Sequence, residues 1–486
     1  MVRRSLVTGL IVSGLFGFLF WTASCAVDPV SGQPGLMLLS EEKEIQLGRQ
    51  TDAQIVQQYG LYKDSRLTAH VDDAGQRMAK LSHRPHLDYQ FKVLDVSVVN
   101  AFAVPGGYVY FTRGILAHLN SEAELAGVMG HEIGHITARH SAEQYSRAML
   151  AQVGLAAGMI FSETLRGLAD FAQLGVGMLF LKFSRDNERE ADDLGVEYAS
   201  KAGYEASQMA NFFETLEKMN PGSDRTGLPS WFSTHPSPVD RVQTVRAQSR
   251  EWQRRLGIKD PKVGHERYLR WIDGLVFGED PRQGYVEDHV FYHPDLKFQF
   301  PVPADWKVKN TPSQVQIVSP KKDAAILFSL TSRMSPKQAA RKFAEKTRAR
   351  VISADAIQVH GLSSYRMISD VRTRSGILRV MSYFIKKREH IYVFHGICSP
   401  SLFQRYEDFF GGTMGRFKHL SDPKRINVQP DRIRIREAKR AGSVKGALQS
   451  VGVPDKELEK MALLNGKSLD EKIPANTPLK VVQKGR

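Results

Sequence analysis

The string His131-Glu132-Ile133-Gly134-His135, followed further along by Glu188 and Asp192, limits what this chain can fold into more than any other feature. On a helix, side chains at i and i+4 lie one above the other, so the two imidazoles can aim at one ion. Glu132 then sits one residue round, beside the open coordination position. A zinc ion with three protein ligands keeps a position for water and lowers its pKa, and a neighbouring carboxylate can take the proton. The pattern predicts a metallopeptidase site: one Zn²⁺ per chain, His131 and His135 as ligands, Glu132 as general base.

Local signals support the helix. Ser121 followed by Glu124 forms a capping box, Leu125, Val128 and Met129 supply an apolar stripe, and residues 121–140 contain no proline. A His-Glu-x-x-His string also arises by chance, so a third ligand must be found. The segment 184–195 has helical character and sets Glu188 and Asp192 four apart on one face. Glu188 suits the third ligand. Asp192 is placed to accept a hydrogen bond from the far nitrogen of a zinc-bound histidine, which fixes its tautomer. Glu190 points elsewhere and is expected to be solvated. Without the histidines, such an acidic helix would read as an ordinary solvated face.

As a set, the HEIGH string, Glu188 to Asp192 as Glu-x-x-Ala-Asp, Asn100-Ala-Phe-Ala103 and Thr234-His-Pro236 resemble the gluzincin family of CAAX-prenyl endopeptidases and heat-shock membrane peptidases. Within it they are most similar to the periplasmic branch typified by the β-barrel assembly-enhancing protease. The resemblance covers roughly residues 28–255. It implies Glu188 rather than Glu190 as third ligand, a site role for His235, a supporting role for Arg241, and misfolded or unassembled envelope proteins as substrates. The residues themselves leave three roles open for His235: a fourth ligand closing the resting site, a donor to the tetrahedral oxyanion, or a histidine in a proline-stiffened loop.

Upstream, Phe91 to Val99 and Tyr108 to Phe111 alternate or run apolar as strands do, with Pro105-Gly106-Gly107 as a turn. If one strand is an edge along the cleft, with Asn100, Ala101, Phe102 and Ala103 beside the substrate, an extended peptide can add to it through main-chain hydrogen bonds. An ordinary hairpin beneath the helix is the other reading. The apolar runs 148–161 and 171–181 each fall short of the roughly 18 residues that span a bilayer. They read as a buried helical hairpin or as a lid touching lipid or unfolded substrate.

Arg3 and Arg4, the uncharged stretch Ser5 to Trp21 and then Thr22-Ala-Ser-Cys25 follow a signal-peptide plan, with Cys25 as lipid acceptor. By resemblance to bacterial lipoproteins, Ala26 permits sorting to the outer membrane. An uncleaved helix in the inner membrane is the alternative. The only cysteines are Cys25 and Cys398, which excludes a disulfide framework and four-cysteine zinc modules. Cys398 reads as a buried small hydrophobe.

With 486 residues and 42% hydrophobic content, about three domains are expected. The fold class is α+β multidomain. Residues 1–25 form the signal peptide or anchor, and 26–256 a mainly helical zincin-type peptidase domain with a small sheet and a helical stretch from Ser40 to Leu81. Residues 257–287 read as a linker and 288–420 as an α+β accessory domain with helices near Ser335 to Arg350 and Ser401 to Phe417. Its opening, from Tyr292 through Trp306, resembles the Mog1/PsbP-like fold. Residues 430–486 form a βααβ module resembling a lysin motif, a binder of N-acetylglucosamine polymers, although Gly442-Ser443-Val444 stands where that motif has Gly-Asp-Thr.

The net charge is +15, and residues 421–486 hold 15 Lys or Arg against 8 Asp or Glu. In an exported chain that charge suits peptidoglycan or anionic lipid rather than nucleic acid, or solvent alone. The expected function is a membrane-tethered zinc endopeptidase of the bacterial envelope. The alternative is an envelope or peptidoglycan-binding assembly factor with a structural or latched zinc site.

Overall fold

Side-chain caps set the helix starts. In the computed structural model, which describes residues 25–27, 29–30, 32, 34–37, 39–146, 182–219, 230–236, 240–331, 333–373 and 376–485, the chain enters through a short antiparallel pair, β1 (Cys25–Val27) and β2 (Pro34–Leu36). Ser40 then caps α1 (Glu41–Tyr59) and Asp64 caps α2 (Ser65–Ala79). The single helical stretch expected from Ser40 to Leu81 is thus two helices, parted at Gly60, whose φ is +70°.

The small sheet has the order β3-β5-β4, from β3 (Gln90–Leu94), β4 (Ala101–Val104) and β5 (Tyr108–Thr112). Gly106 and Gly107, at φ +81° and +102°, turn β4 into β5. The hairpin therefore joins residues 101–104 to 108–112, not 91–99 to 108–111, while β3 lies parallel to β5 on its other side. After α3 (Arg113–His118), Ser121 caps α4 (Glu122–Thr137), accepting from Glu124 N–H at 3.0 Å. The reciprocal half of the expected capping box is displaced by one residue: the Glu124 carboxylate accepts from Asn120 N–H at 2.7 Å.

Every residue of α4 is buried. Around it pack α5 (Arg185–Lys201), α6 (Gln208–Lys218), the single turn α7 (Trp231–Thr234), α8 (Arg241–Leu256) and α9 (His265–Ile272). The stretch 257–287, expected as a linker, contains α9, whose Tyr268, Leu269 and Ile272 join the same core. Glycines let α4 and α5 approach closely. A Cβ on Gly130 would lie 2.8 Å from Gly195 O, and one on Gly134 would lie 3.0 Å from Ala191 O.

Residues 285–419 build a second core between two sheets. One is four-stranded, β16-β8-β7-β6, from β6 (Tyr285–Glu287), β7 (Val290–His293), β8 (Phe298–Pro301) and β16 (Lys418–His419). The other is seven-stranded and antiparallel, β12-β13-β14-β15-β11-β10-β9. Its strands are β9 (Lys307–Asn310), β10 (Gln314–Val318), β11 (Ala324–Thr331), β12 (Arg350–Val359), β13 (Leu362–Thr373), β14 (Gly376–Lys387) and β15 (His390–Cys398). Alternation along β15 sorts its two faces. Tyr392 and Phe394 meet Phe298, Phe300 and Phe410 of α11 (Phe403–Met414), whereas Ile391 and Val393 meet Ala339 and Ala340 of α10 (Pro336–Thr347). Cys398 is buried and free.

The C-terminal strands Arg432–Glu437 and Pro478–Gln483 pair antiparallel around helices Val444–Ser450 and Leu458–Leu464, a βααβ order. This unit does not stand apart. Leu448, Leu458, Met461 and Leu479 share one apolar cluster with Leu116 and Leu119, and the fully buried Lys480 donates to Ala117 O at 2.8 Å and Leu119 O at 2.9 Å.

Among the described residues no helix is long and apolar enough to cross a membrane. Residues 1–24, with the leader, and both apolar runs (148–161 and 171–181) lie outside the described residues. Of Cys25 only the backbone, opening β1, is described.

Candidate metal centre

Because α4 is helical through residues 131–135, the imidazoles of His131 and His135 share one face, their rings nearly perpendicular and Nε2 to Nε2 3.1 Å apart. The glycine contacts bring α5 against that face, and Glu188, in its first turn, places Oε1 3.5 Å from His135 Nε2 and Oε2 3.7 Å from His131 Nε2. The turn α7, whose Trp231 N–H donates to Val99 O at 3.1 Å, delivers His235 from the opposite side. Its Nδ1 lies 3.0 Å from Glu188 Oε1 and 3.3 Å from His131 Nε2.

These four residues are buried, and one donor atom from each lies within 4.8 Å of the others. Ligands about 2.0–2.1 Å from a tetrahedral zinc stand about 3.4 Å from one another. Three imidazole nitrogens and a carboxylate oxygen at such separations, enclosed together, fit a divalent cation. Neutral imidazoles are the form that ligates, and burial holds His131 and His135 well below their usual range. Burial would raise Glu188, but His235, His135 and His131 around it hold it well below the usual carboxylate range.

Asp192, one turn beyond Glu188, has Oδ1 2.8 Å from His131 Nδ1 and accepts from Arg241 Nη2 at 2.7 Å. Burial lifts its carboxyl to about 6 despite Arg241. The Arg241 guanidinium sits 3.6 Å over the Phe213 ring, with Nη2 also 3.5 Å from Glu188 Oε2. Glu132 is fully buried, and Oε1 lies 3.8 Å from His235 Nε2. Its oxygens accept no well-aligned hydrogen bond from the described residues, and burial pushes the carboxyl up to about 7 against the pull of His235. A base poised near neutrality is what proton transfer at pH 7 requires.

Asn100 to Ala103 lie at the end of the small sheet nearest α4. Asn100 N–H donates to Thr112 Oγ1 at 3.2 Å, and β4 is an outer strand among the described residues.

Three side chains carry no signal that the sequence reading used. Phe183 stacks on His135 at 4.0 Å, Trp231 stacks on His235 at 4.3 Å, and His140 places Nδ1 2.9 Å from His135 Nδ1. Glu190 lies outside the donor cluster and its side chain stays 36% exposed, as expected of a partly solvated carboxylate, but its Oε2 also lies 3.1 Å from His140 Nε2, a contact the sequence does not announce.

Comparison with known proteins agrees with this geometry. The profile of Peptidase family M48 matches residues 65–249. The beta-barrel assembly-enhancing protease of Escherichia coli strain K12 is 28% identical over 261 residues, 51% of this chain and 53% of its own. The mitochondrial metalloendopeptidase OMA1 of Schizosaccharomyces pombe is 30% identical over 264 residues, 53% of this chain and 74% of its own. The chain thus spans about half the length of the enterobacterial relatives it matches. Among solved structures, PsbP from the cyanobacterium Synechocystis is 11% identical, covering 27% of this chain and 91% of its own with a TM-score of 0.24, a level that carries no argument.

Proposed function

The chain belongs to peptidase family M48, and from that premise we propose that it is a zinc-dependent endopeptidase of the bacterial envelope that cuts misfolded or unassembled proteins. One observation carries the reading: His131, His135 and Glu188 converge on a point beside the buried, hydrogen-bond-poor carboxylate of Glu132.

His131, His135 and Glu188 would hold the zinc. When bound, the ion supplies Lewis acidity toward a peptide carbonyl and toward water. Glu132 takes the proton from the attacking water and returns it to the leaving amine. Asp192 accepts from His131 Nδ1–H, keeping Nε2 bare, and Arg241 holds Asp192 in place. Thr112 N–H donates to Asn100 O, so by antiparallel alternation the amides of Ala101 and Ala103 face the open edge of β4, where an extended substrate can pair. Recognition through main chain suits unfolded substrates of varied sequence.

A second reading, a latched site, is favoured by His235, whose Nδ1 stands among the donors. As a fourth ligand it closes the site; swung aside, it becomes a donor to the oxyanion. In the extreme form of this reading the chain is an assembly factor that binds without cutting.

For placement we read the chain as tethered, by lipid on Cys25 with outer-membrane sorting, or by an uncleaved N-terminal helix in the inner membrane. Residues 288–420 act as a Mog1/PsbP-like positioning unit, which the helices on both faces of the seven-stranded sheet support. The C-terminal βααβ unit offers only its outer, basic face to peptidoglycan or anionic lipid, since its inner face is committed to the core. Incubating purified protein with unfolded envelope proteins tests the proposal. Cleavage lost in Glu132→Gln with zinc retained supports the peptidase; activity in cells that survives this substitution supports the binding factor.

A further inference from the structure

The two histidines of α4 are held from behind in different ways. His131 meets a carboxylate, Asp192, the common partner of a ligating imidazole. His135 meets a second imidazole. We infer that His140 is a positioning residue for His135, the middle member of a His135–His140–Glu190 relay that fixes which nitrogen of His135 faces the metal. The inference rests on the zinc reading given above.

The proton arrangement follows from the contacts. His135 Nδ1 and His140 Nδ1 are 2.9 Å apart, so one of them carries the hydrogen and the other accepts it. For His135 to keep Nε2 bare toward Glu188 and His131, its hydrogen must sit on Nδ1, and His140 Nδ1 must be the acceptor. His140 then carries its own hydrogen on Nε2, which faces Glu190 Oε2 at 3.1 Å. A single set of tautomers satisfies both contacts, and it leaves His135 Nε2 with its lone pair at the donor cluster. With the opposite set, His140 would donate to His135 Nδ1, place a hydrogen on His135 Nε2 and leave a bare Nε2 against the Glu190 carboxylate.

The chain is shaped to make this contact. After α4, Arg139 adopts φ +57°, a left-handed conformation that turns the backbone so that His140 returns over His135, ring centroids 5.0 Å apart. That turn is pinned. Arg139 donates to Glu44 Oε2 at 2.9 Å and to Leu39 O at 2.8 Å, while Arg84, bonded to Glu44 Oε1 at 3.0 Å, donates to Ile136 O at 2.9 Å. His140 is 1% exposed, and Phe183 stacks across the His135 ring. A residue that merely filled space here would not need a partner at each nitrogen.

The test uses the full-length protein and measures zinc affinity by chelator competition, with the visible spectrum of the cobalt-substituted protein beside it. His140→Leu keeps bulk and removes the acceptor; zinc should bind about 10–100-fold more weakly and the cobalt bands should shift. His140→Asn puts Oδ1 where Nδ1 stood and should restore most of the affinity and the original bands. Glu190→Gln should give a smaller loss in the same direction. A packing role alone would lower the unfolding temperature in both His140 variants without separating them in affinity. Zinc binding in His140→Leu equal to the wild type, or His140→Asn as weak as His140→Leu, overturns the relay. Should His140→Leu fail to fold, the Asn and Gln variants decide it: wild-type affinity in Glu190→Gln together with weakened binding in His140→Asn overturns it. A wild-type chain that binds no zinc sinks the metal reading itself, which is a different failure.

Discussion

Helix α4 and strand β15 are both largely buried, and they bury opposite kinds of surface. Into the helical core α4 carries Glu124, His131, Glu132 and His135; into the sheet core β15 carries Ile391, Tyr392, Val393 and Phe394. Enclosing a titratable group costs free energy unless partners compensate it, so a fold keeps such groups only where they support one another or serve chemistry. In the helical half they do support one another, through Asp192 with Arg241 and through His140 with Glu190. The sheet half has interlocking aromatics instead: Phe300 and Phe394 meet edge to face at 5.1 Å, and Phe328 lies 4.6 Å from Phe394. One half is arranged around reactivity and the other around cohesion.

The largest effect that sharpens this contrast should come from Glu132→Gln. Turnover on an unfolded protein substrate should fall about 10²–10⁴-fold, with zinc content and unfolding temperature unchanged. Phe394→Ala should do the reverse. It should cost about 3–5 kcal/mol of stability, read by denaturant unfolding, while zinc affinity stays as in the wild type. A fall in both quantities would break the contrast. Asp192→Asn should weaken zinc binding about 10–100-fold by chelator competition, and it should lower stability as well, because the buried Arg241 loses its charged partner. Gly134→Val, which pushes α4 from α5, should cost about 1–3 kcal/mol and lower zinc affinity with it, since Glu188 rides on α5.

The smallest effect is in pH dependence, where the halves should behave alike in stability and differ in activity. Burial lowers His118 in the helical half, and His293 and His395 in the sheet half, from 6.5 to about 4. The unfolded chain binds more protons between those values, so this stability is present above pH 6.5 and lost as pH falls toward 4. Cleavage should fail earlier, as pH drops through about 7 and Glu132 gains a proton. Unfolding midpoints and kcat/KM measured across pH 4–8 separate the two limbs.

What could be read from residue order was whatever depends on near neighbours. The cap at Ser121, the i, i+4 pairing of His131 with His135 and the spacing of Glu188 to Asp192 are fixed within one or two turns. The parallel placement of β3 beside β5 depends on contacts far apart in the chain, so the hairpin was misassigned to residues 91–99. Glu190 is partly solvated, as its place on an acidic helix suggests, but its contact with His140 is not legible in the sequence, because His140 arrives through a left-handed residue that nothing in Arg139 announces. Lys480 is the sharpest example. It alternates with Leu479 and Val481 as an outward residue should, yet it is fully buried, because both faces of its strand are covered.

That lysine ties the C-terminal strand to the peptidase core. Its amino group donates to the carbonyls of Ala117 and Leu119 at the close of α3, immediately ahead of the helix that carries His131. Trimming the protein from its carboxyl end would therefore strip the floor from beneath the helix that carries the histidines, and the tail serves the fold as foundation before it serves as anything that reaches outward.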